Sequence, residues 1–180
     1  GSMELIDTNI PKALNCEILD HLGTVGWKFA SDKQRNLAEP FHQFITGDKV
    51  MDKGMFIATF ERPEMNHTPD PVLNNFGKWV FYLVQQQTSF NLLRPYRMFW
   101  NFYTPVSKPD WHCDDPNIGS YVSILYNLHT NDGGTEFQSG EKIDSKEGQA
   151  IVFESHHTHR GYAPTNVHHR FNLNMICLTK

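Results

Sequence analysis

The first third of the chain has apolar residues at helical spacing. Residues 11–23 begin with a proline and end with a glycine, as helix termini prefer. The apolar positions in this stretch are Leu14, Ile18 and Leu22. A second stretch of the same periodicity covers 72–87 and follows a proline-containing segment, 61–71, that favours a loop. The pattern therefore predicts two helices with a loop before the second.

From about residue 94 the pattern changes to short aromatic and β-branched segments with turn residues between them. The predicted strands are 96–103, 121–128, 135–138, 149–153 and 170–178. Antiparallel strands that follow helices favour a mainly β, α+β fold with a jelly-roll or barrel. We expect one domain over residues 4–180, with N-terminal supporting helices (about 4–93) and a barrel core (about 94–180). Residues 1–3, Gly-Ser-Met, are typical of a remnant of an expression vector.

Two of the predicted strands divide into a polar face and an apolar face, because side chains alternate along a strand. The polar residues are Arg170, Asn172 and Asn174 in the last strand and Arg97, Asn101 and Tyr103 in the 96–103 strand. A polar face on a central strand is costly unless it lines a polar cavity. The pattern therefore predicts a barrel with a polar pocket.

Charge and cysteine content narrow the class of protein. The 180 residues carry a net charge of −4 without a block of like charge, so neither nucleic acid nor an anionic membrane is an expected partner. The longest apolar run, 79–84, is too short to span a bilayer, and no signal segment opens the chain. Three widely spaced cysteines do not form a disulfide framework, which favours a reducing cytoplasm.

Two motifs suggest a metal site. In W-H-C-D-D-P (111–116), His112 and Asp114 point the same way if the segment is extended. The stretch E-S-H-H-T-H-R-G-Y-A-P (154–164) supplies further histidines. Two histidines and a carboxylate on one face of a metal are typical of non-haem Fe(II) oxygenases. Each motif alone is weak, because exposed turns and loop histidines are common, and a zinc site is a further alternative.

The ordered set of motifs is more specific. Residues 97–178 resemble the catalytic core of the Fe(II)/2-oxoglutarate-dependent oxygenases, and most of all the prolyl hydroxylase-like branch. The matching segments are R-M-F-W-N-F-Y (97–103), W-H-C-D-D-P (111–116), Y-V-S-I-L-Y-N-L (121–128), G-G-T-E-F (133–137), E-G-Q-A-I-V-F-E-S (147–155), H-R-G-Y-A-P (159–164) and R-F-N-L-N (170–174). The fold of that family is a double-stranded β-helix, a jelly-roll or cupin-like barrel, and the resemblance implies the same fold here.

The resemblance also implies roles for individual residues. His112, Asp114 and His159 match the metal ligands of the family, and Arg170 matches the residue that pairs with the distal carboxylate of 2-oxoglutarate. Tyr126 matches a tyrosine that contacts the same carboxylate. Further candidates for co-substrate binding are Asn172, Tyr103 and Asn101. Asn172 departs from the family, in which many members have Ser or Thr at that position.

The implied activity is hydroxylation of an aliphatic C–H bond. The implied cofactor is Fe(II), the implied co-substrates are 2-oxoglutarate and O2, and ascorbate is expected to support the reaction in vitro. A prolyl residue in a peptide or protein is the first expected substrate, and a free amino acid or other small metabolite is the alternative. A non-catalytic, cupin-like metal-binding module and a zinc hydrolase are the alternatives of another class. By position after Phe153, His156 and His157 are expected to be loop residues rather than ligands. Segments 28–70 and 104–110 are the expected substrate-contacting parts.

Overall fold

A computed structural model describes residues 3–26, 28–29, 55–58 and 70–180, with the backbone alone described at 28–29 and 55–58. Its helices are α1 (Lys12–Leu22) and α2 (Pro71–Gln87). Its strands are β1 (Glu4–Asp7), β2 (Lys28–Phe29), β3 (Met55–Ala58), β4 (Leu92–Tyr103), β5 (Tyr121–Asn127), β6 (Gly134–Phe137), β7 (Lys142–Asp144), β8 (Gln149–Glu154), β9 (His159–Tyr162) and β10 (Arg170–Thr179). The expected mostly β fold with helices is confirmed.

The strands form two antiparallel sheets. The larger has seven strands in the order β1-β8-β5-β10-β4-β3-β2, and the smaller has three in the order β7-β6-β9. The long strands β4, β5 and β10 lie at the centre of the larger sheet, where β10 pairs with both of the others. The alternation of polar and apolar residues on β10 therefore applies to a central strand, as the sequence predicts.

Both helices pack on one face of the larger sheet. The apolar side chains of α1 and α2 bury against the outward-facing apolar positions of β4, β5, β8 and β10. Gly77 in α2 permits a close approach, because a Cβ atom there would lie 2.6 Å from the sulfur of Met98. Asp70 caps α2 by accepting a hydrogen bond from the backbone N–H of Leu73 at 3.1 Å. This layer leaves the opposite face of the sheet for the site.

The opposite face is covered in part by the smaller sheet. Leu125, Ile151 and Phe153 of the larger sheet pack against Phe137 of β6, with the ring centroids of Phe137 and Phe153 4.9 Å apart. This second, smaller apolar cluster forms one wall of the space between the sheets. Closure of the two sheets into a double-stranded β-helix stays a prediction.

The larger sheet includes strands from the N-terminal part of the chain. The N-terminal part contributes strands as well as helices: β1 pairs with β8, and β3 pairs with β4. Within segment 28–70, the described strands β2 and β3 extend the larger sheet. The predicted loop at 61–71 lies mostly outside the described residues. Neither described helix combines the length and apolar character needed to cross a membrane.

Candidate metal centre and carboxylate pocket

Backbone pairing brings the two halves of the candidate metal site together. His112 lies in an isolated bridge to the first residue of β9, His159. The backbone N–H of each residue donates to the carbonyl of the other, at 2.9 Å and 2.8 Å. The N–H of Asp114 donates to the carbonyl of Ser155 at 3.0 Å. The segment 112–114 is therefore held against the start of β9 without being part of a strand.

The three predicted ligands meet at one point. The Nε2 atoms of His112 and His159 each lie 3.5 Å from Oδ1 of Asp114. One potential ligand atom from each of the three residues lies within 4.8 Å of the other two. The donor set of two imidazole nitrogens and one carboxylate oxygen suits Fe(II) and related divalent ions.

The ring orientation of both histidines is fixed by backbone carbonyls. Nδ1 of His112 donates to the carbonyl of Asp110 at 2.9 Å, and Nδ1 of His159 donates to that of His157 at 3.0 Å. Because a carbonyl can only accept, these bonds place the proton on Nδ1 and leave the Nε2 lone pair for a metal. Burial lowers the pKa of His159, although the charge of Asp114 opposes that shift. The neutral, ligating form of His159 is thereby favoured.

Asp114 is held by a chain of hydroxyl groups. Its Oδ2 accepts a hydrogen bond from the Ser123 hydroxyl at 2.6 Å, and Ser123 in turn contacts the hydroxyl of Ser155 at 2.7 Å. Burial alone would raise the pKa of Asp114, but His159, His112 and the Ser123 hydroxyl together lower it below its usual value. The carboxylate is therefore ionised at neutral pH and oriented with Oδ1 towards the imidazoles.

Ser123→Ala should weaken metal binding without unfolding the protein. The substitution removes the donor to Oδ2 of Asp114, and loss of such an outer partner typically costs about 10–100-fold in metal affinity. Titration with Fe(II) or Co2+ measures the change. Ser139→Ala, on an exposed serine that bonds Glu141, is the matched control. Unchanged metal affinity in Ser123→Ala would contradict the positioning role.

The second half of the site is a buried guanidinium. Arg170, at the start of β10, is fully buried, and its Nη2 lies 3.5 Å from Oδ1 of Asn127. Its Nε and Nη1 have no hydrogen-bond partner among the described residues. Its guanidinium carbon lies 5.4 Å from the ring centroid of Tyr103, which is opposite Arg170 on β4. A buried cation with open donors suits an anionic partner, and the planar guanidinium matches the geometry of a carboxylate.

Gly161 of β9 lies beside Arg170 and Tyr103. A Cβ atom on Gly161 would lie 3.4 Å from Nη1 of Arg170 and 3.5 Å from the Tyr103 ring, which is ordinary van der Waals contact with both. The three features together define what we term the carboxylate pocket: Arg170, Tyr103 and Gly161.

Three asparagines lie next to the carboxylate pocket on the same face of the larger sheet. Asn172 lies directly between Asn101 on β4 and Asn127 on β5. The amide of Asn101 donates to Oδ1 of Asn172 at 2.9 Å. Further along β10, the amide of Asn174 reaches Oδ1 of Asp114 at 3.5 Å. The polar face of β10 thus joins the carboxylate pocket to the metal triad.

The predicted contact between Tyr126 and 2-oxoglutarate is wrong in this fold. Alternation along β5 turns Ser123 towards Asp114, so Tyr126, three positions later, faces the helices. Its hydroxyl donates to Oδ1 of Asn15 in α1 at 2.6 Å, and its ring packs on Phe76 of α2. Tyr126 therefore connects the helix layer to the sheet. It lies on the face of β5 opposite Ser123, so its hydroxyl does not face the carboxylate pocket.

Tyr126→Phe should destabilise the fold and leave the co-substrate affinity unchanged. The change leaves the buried Oδ1 of Asn15 without its hydroxyl donor, at a cost of about 1–3 kcal/mol. Urea denaturation measures the free energy of unfolding, and calorimetric titration measures 2-oxoglutarate binding. A selective loss of 2-oxoglutarate affinity at unchanged stability would restore the predicted role.

Several contributing residues were missed by the sequence analysis. Ser123 and Asn127 are among them. Both lie on the same face of β5, so alternation along the strand would have identified Asn127 once Ser123 was placed at the metal site. Ser155 sits in a turn, where the alternation rule does not apply. Of the other histidines in the 154–169 region, His168 and His169 are exposed.

With this geometry in place, comparison with known proteins identifies the fold. No protein-family model matches the chain, and no curated protein matches it in sequence. Solved structures do match: a prolyl-4-hydroxylase from Pseudomonas putida has a TM-score of 0.59 at 11% identity, covering 99% of this chain and 92% of that one. The protein has the fold of the 2-oxoglutarate-dependent oxygenases.

Two further solved structures have this fold. The α-ketoglutarate-dependent epimerase SnoN from nogalamycin biosynthesis has a TM-score of 0.67 at 10% identity, with 98% of this chain and 77% of that chain covered. HygX from Streptomyces hygroscopicus was solved with nickel and 2-oxoglutarate bound. It has a TM-score of 0.64 at 10% identity, and the alignment covers 99% of this chain and 83% of the HygX chain. At such identities the likeness concerns the fold.

Proposed function

We propose that this protein is an Fe(II)- and 2-oxoglutarate-dependent dioxygenase that hydroxylates an aliphatic C–H bond, in a double-stranded β-helix. The observation that carries the proposal is Arg170. A fully buried guanidinium with two open nitrogens lies on the strand face that also reaches the His112–Asp114–His159 triad. A metal-only module or a zinc hydrolase would not need this cation.

The two halves of the site suit a molecule with a carboxylate at each end. Arg170 and Asn174 are four residues apart on the same face of β10, so this strand joins the buried guanidinium to the metal triad. In the proposed complex Arg170 binds the distal carboxylate of 2-oxoglutarate, while the amide of Asn174 lies beside Asp114 at the metal end. Fe(II) and 2-oxoglutarate, when bound together, supply the redox chemistry that activates O2.

The chain itself contributes positioning and shielding. His112 and His159 present fixed Nε2 lone pairs, and Asp114 presents Oδ1 because Ser123 occupies Oδ2. Arg170 holds the far carboxylate by charge-assisted hydrogen bonds. The apolar wall of Phe137 and Phe153 beside His159 keeps water from that side of the triad, with ring centroids 5.8 Å and 4.9 Å from the imidazole.

For the substrate, we propose a prolyl residue in a peptide or protein. Support comes from the prolyl-4-hydroxylase of the same fold, which spans almost the same length as this chain. The epimerase of the same fold keeps a small-molecule substrate as the alternative. Segment 104–110 and the region between residues 28 and 70 stay the predicted substrate contacts, and most of the latter lies outside the described residues.

Succinate release tests the proposal. The protein is incubated with Fe(II), 2-oxoglutarate, ascorbate and a panel of proline-containing peptides and free amino acids, and succinate and a mass gain of one oxygen are measured. We expect both to require Fe(II) and 2-oxoglutarate. Succinate without an oxidised peptide would reject the peptide substrate, and the absence of 2-oxoglutarate binding would reject the reaction class.

A further inference from the structure

The turn after β8, residues 154–157, is held in place by hydrogen bonds of its second residue, Ser155. Ser155 is fully buried, its N–H donates to the carbonyl of Tyr121 at 3.0 Å, and its hydroxyl contacts that of Ser123. The turn closes with a hydrogen bond of 3.1 Å from the N–H of His157 to the carbonyl of Glu154. The side chains on either side of Ser155 therefore project from a rigid support.

Those side chains form a second cluster of metal-binding groups. Glu154, His156 and His157 each offer a ligand atom within 4.8 Å of the other two. Nδ1 of His156 lies 3.4 Å from Oε2 of Glu154, and the two imidazole centroids are 4.4 Å apart. None of these residues belongs to the first triad.

Two properties favour an ion over a simple ion pair. The side chains of His156 and Glu154 are 23% and 40% exposed, so a solute ion can reach them. Nε2 of His157, by contrast, is buried and has no hydrogen-bond partner among the described residues. A buried imidazole nitrogen without a partner is costly, and coordination to a metal would satisfy it.

We propose that Glu154, His156 and His157 form a second divalent-metal site, suited to Zn2+. Two imidazoles and one carboxylate are a common three-ligand set for zinc, with water in the fourth position. The proposal is independent of the proposed oxygenase activity, because it needs no 2-oxoglutarate and no reaction.

The turn links the second site to the first through backbone atoms. The carbonyl of His157 accepts the hydrogen bond from Nδ1 of His159, and the carbonyl of Ser155 accepts that from Asp114. Variants that test the second site must therefore leave these carbonyls in place. Side-chain substitutions at Glu154 and His156 meet this condition.

Zinc content under native mass spectrometry tests the proposal. With free Zn2+ buffered in the micromolar range, the wild-type chain should bind two ions. Glu154→Gln, which keeps the shape of the side chain, and His156→Ala should each bind one, and so should His112→Ala, which removes a ligand of the first site. The combination of His156→Ala and His112→Ala should bind none, while His168→Ala, on an exposed histidine, should still bind two.

Two outcomes would overturn the proposal. One is a single ion in the wild type that is lost in His112→Ala, which would leave only the first site. The other is two ions retained in both Glu154→Gln and His156→Ala, which would place the second ion elsewhere. Circular dichroism of each variant verifies the fold, and the two substitutions serve as independent tests if one of them unfolds.

Discussion

Replacing His159 with alanine should abolish 2-oxoglutarate turnover. His159 is a triad member whose Nε2 faces Oδ1 of Asp114, and its neutral form is favoured by burial. Removal of a ligand should exceed the roughly 10–100-fold loss that follows removal of an outer partner. Succinate formation measured at saturating Fe(II) and 2-oxoglutarate gives the activity, and a parallel metal titration gives the affinity.

Two controls make the His159→Ala result specific. His168→Ala removes an exposed histidine of the same region and should keep full turnover. Circular dichroism shows whether His159→Ala is folded, since its ring also packs on Phe153. Full turnover in a folded His159→Ala variant would refute the ligand assignment.

Arg170→Met should weaken the binding of 2-oxoglutarate without lowering the stability of the ligand-free protein. Truncating one partner of a buried charge pair costs about 2–5 kcal/mol of binding, or roughly 30-fold to several thousand-fold in the affinity for 2-oxoglutarate. Without 2-oxoglutarate, the same substitution removes a buried cation that has two open nitrogens. We therefore expect the free energy of unfolding of the ligand-free protein to be unchanged or to rise by about 1–4 kcal/mol.

Thermal denaturation with and without 2-oxoglutarate reports both effects at once. The wild type should gain stability as 2-oxoglutarate is added, because the ligand binds only the folded state, and Arg170→Met should not. Arg170→Lys should behave as a weak binder, since an ammonium group does not reproduce the bidentate geometry. Arg94→Met, on an exposed arginine of β4, is the matched control. Equal stabilisation of Arg170→Met and wild type would rule out the carboxylate pocket.

The sequence predicted best where periodicity determines structure. The helix over 72–87 is confirmed as α2, and the polar alternation of Arg170, Asn172 and Asn174 is confirmed as the inner face of β10. Both patterns reflect burial on one side of an element, which a sequence records directly. The proximity of His112 and His159 could be predicted only from the order of the motifs, because the two residues are far apart in the chain.

Periodicity did not predict the short strands or the register at Tyr126. β1, β7 and β9 have at most four residues each, too few for alternation to stand out, and β9 begins at His159 within a histidine-rich stretch. The tyrosine side chain has an apolar ring and a polar hydroxyl, so Tyr126 is compatible with either face of β5. Only the position of Ser123 against Asp114 decides its side.

The hydrogen-bonding partners of the site were also beyond prediction. Ser123, Ser155 and Asn127 have no motif of their own, and each acquires its role from a neighbour on another strand or turn. The grouping of Glu154 with His156 and His157 likewise depends on the turn that Ser155 anchors. These contacts are products of tertiary structure rather than of local spacing.

Visible absorption spectroscopy shows whether the protein binds Fe(II) and 2-oxoglutarate at one site. Fe(II) and 2-oxoglutarate are added without oxygen to the wild type, to His159→Ala and to Arg170→Met, and the visible absorption is recorded. We expect a band that requires both additions in the wild type, is absent in His159→Ala, and needs far more 2-oxoglutarate in Arg170→Met. A wild type without such a band, or a band of equal strength at equal 2-oxoglutarate in all three proteins, would contradict it.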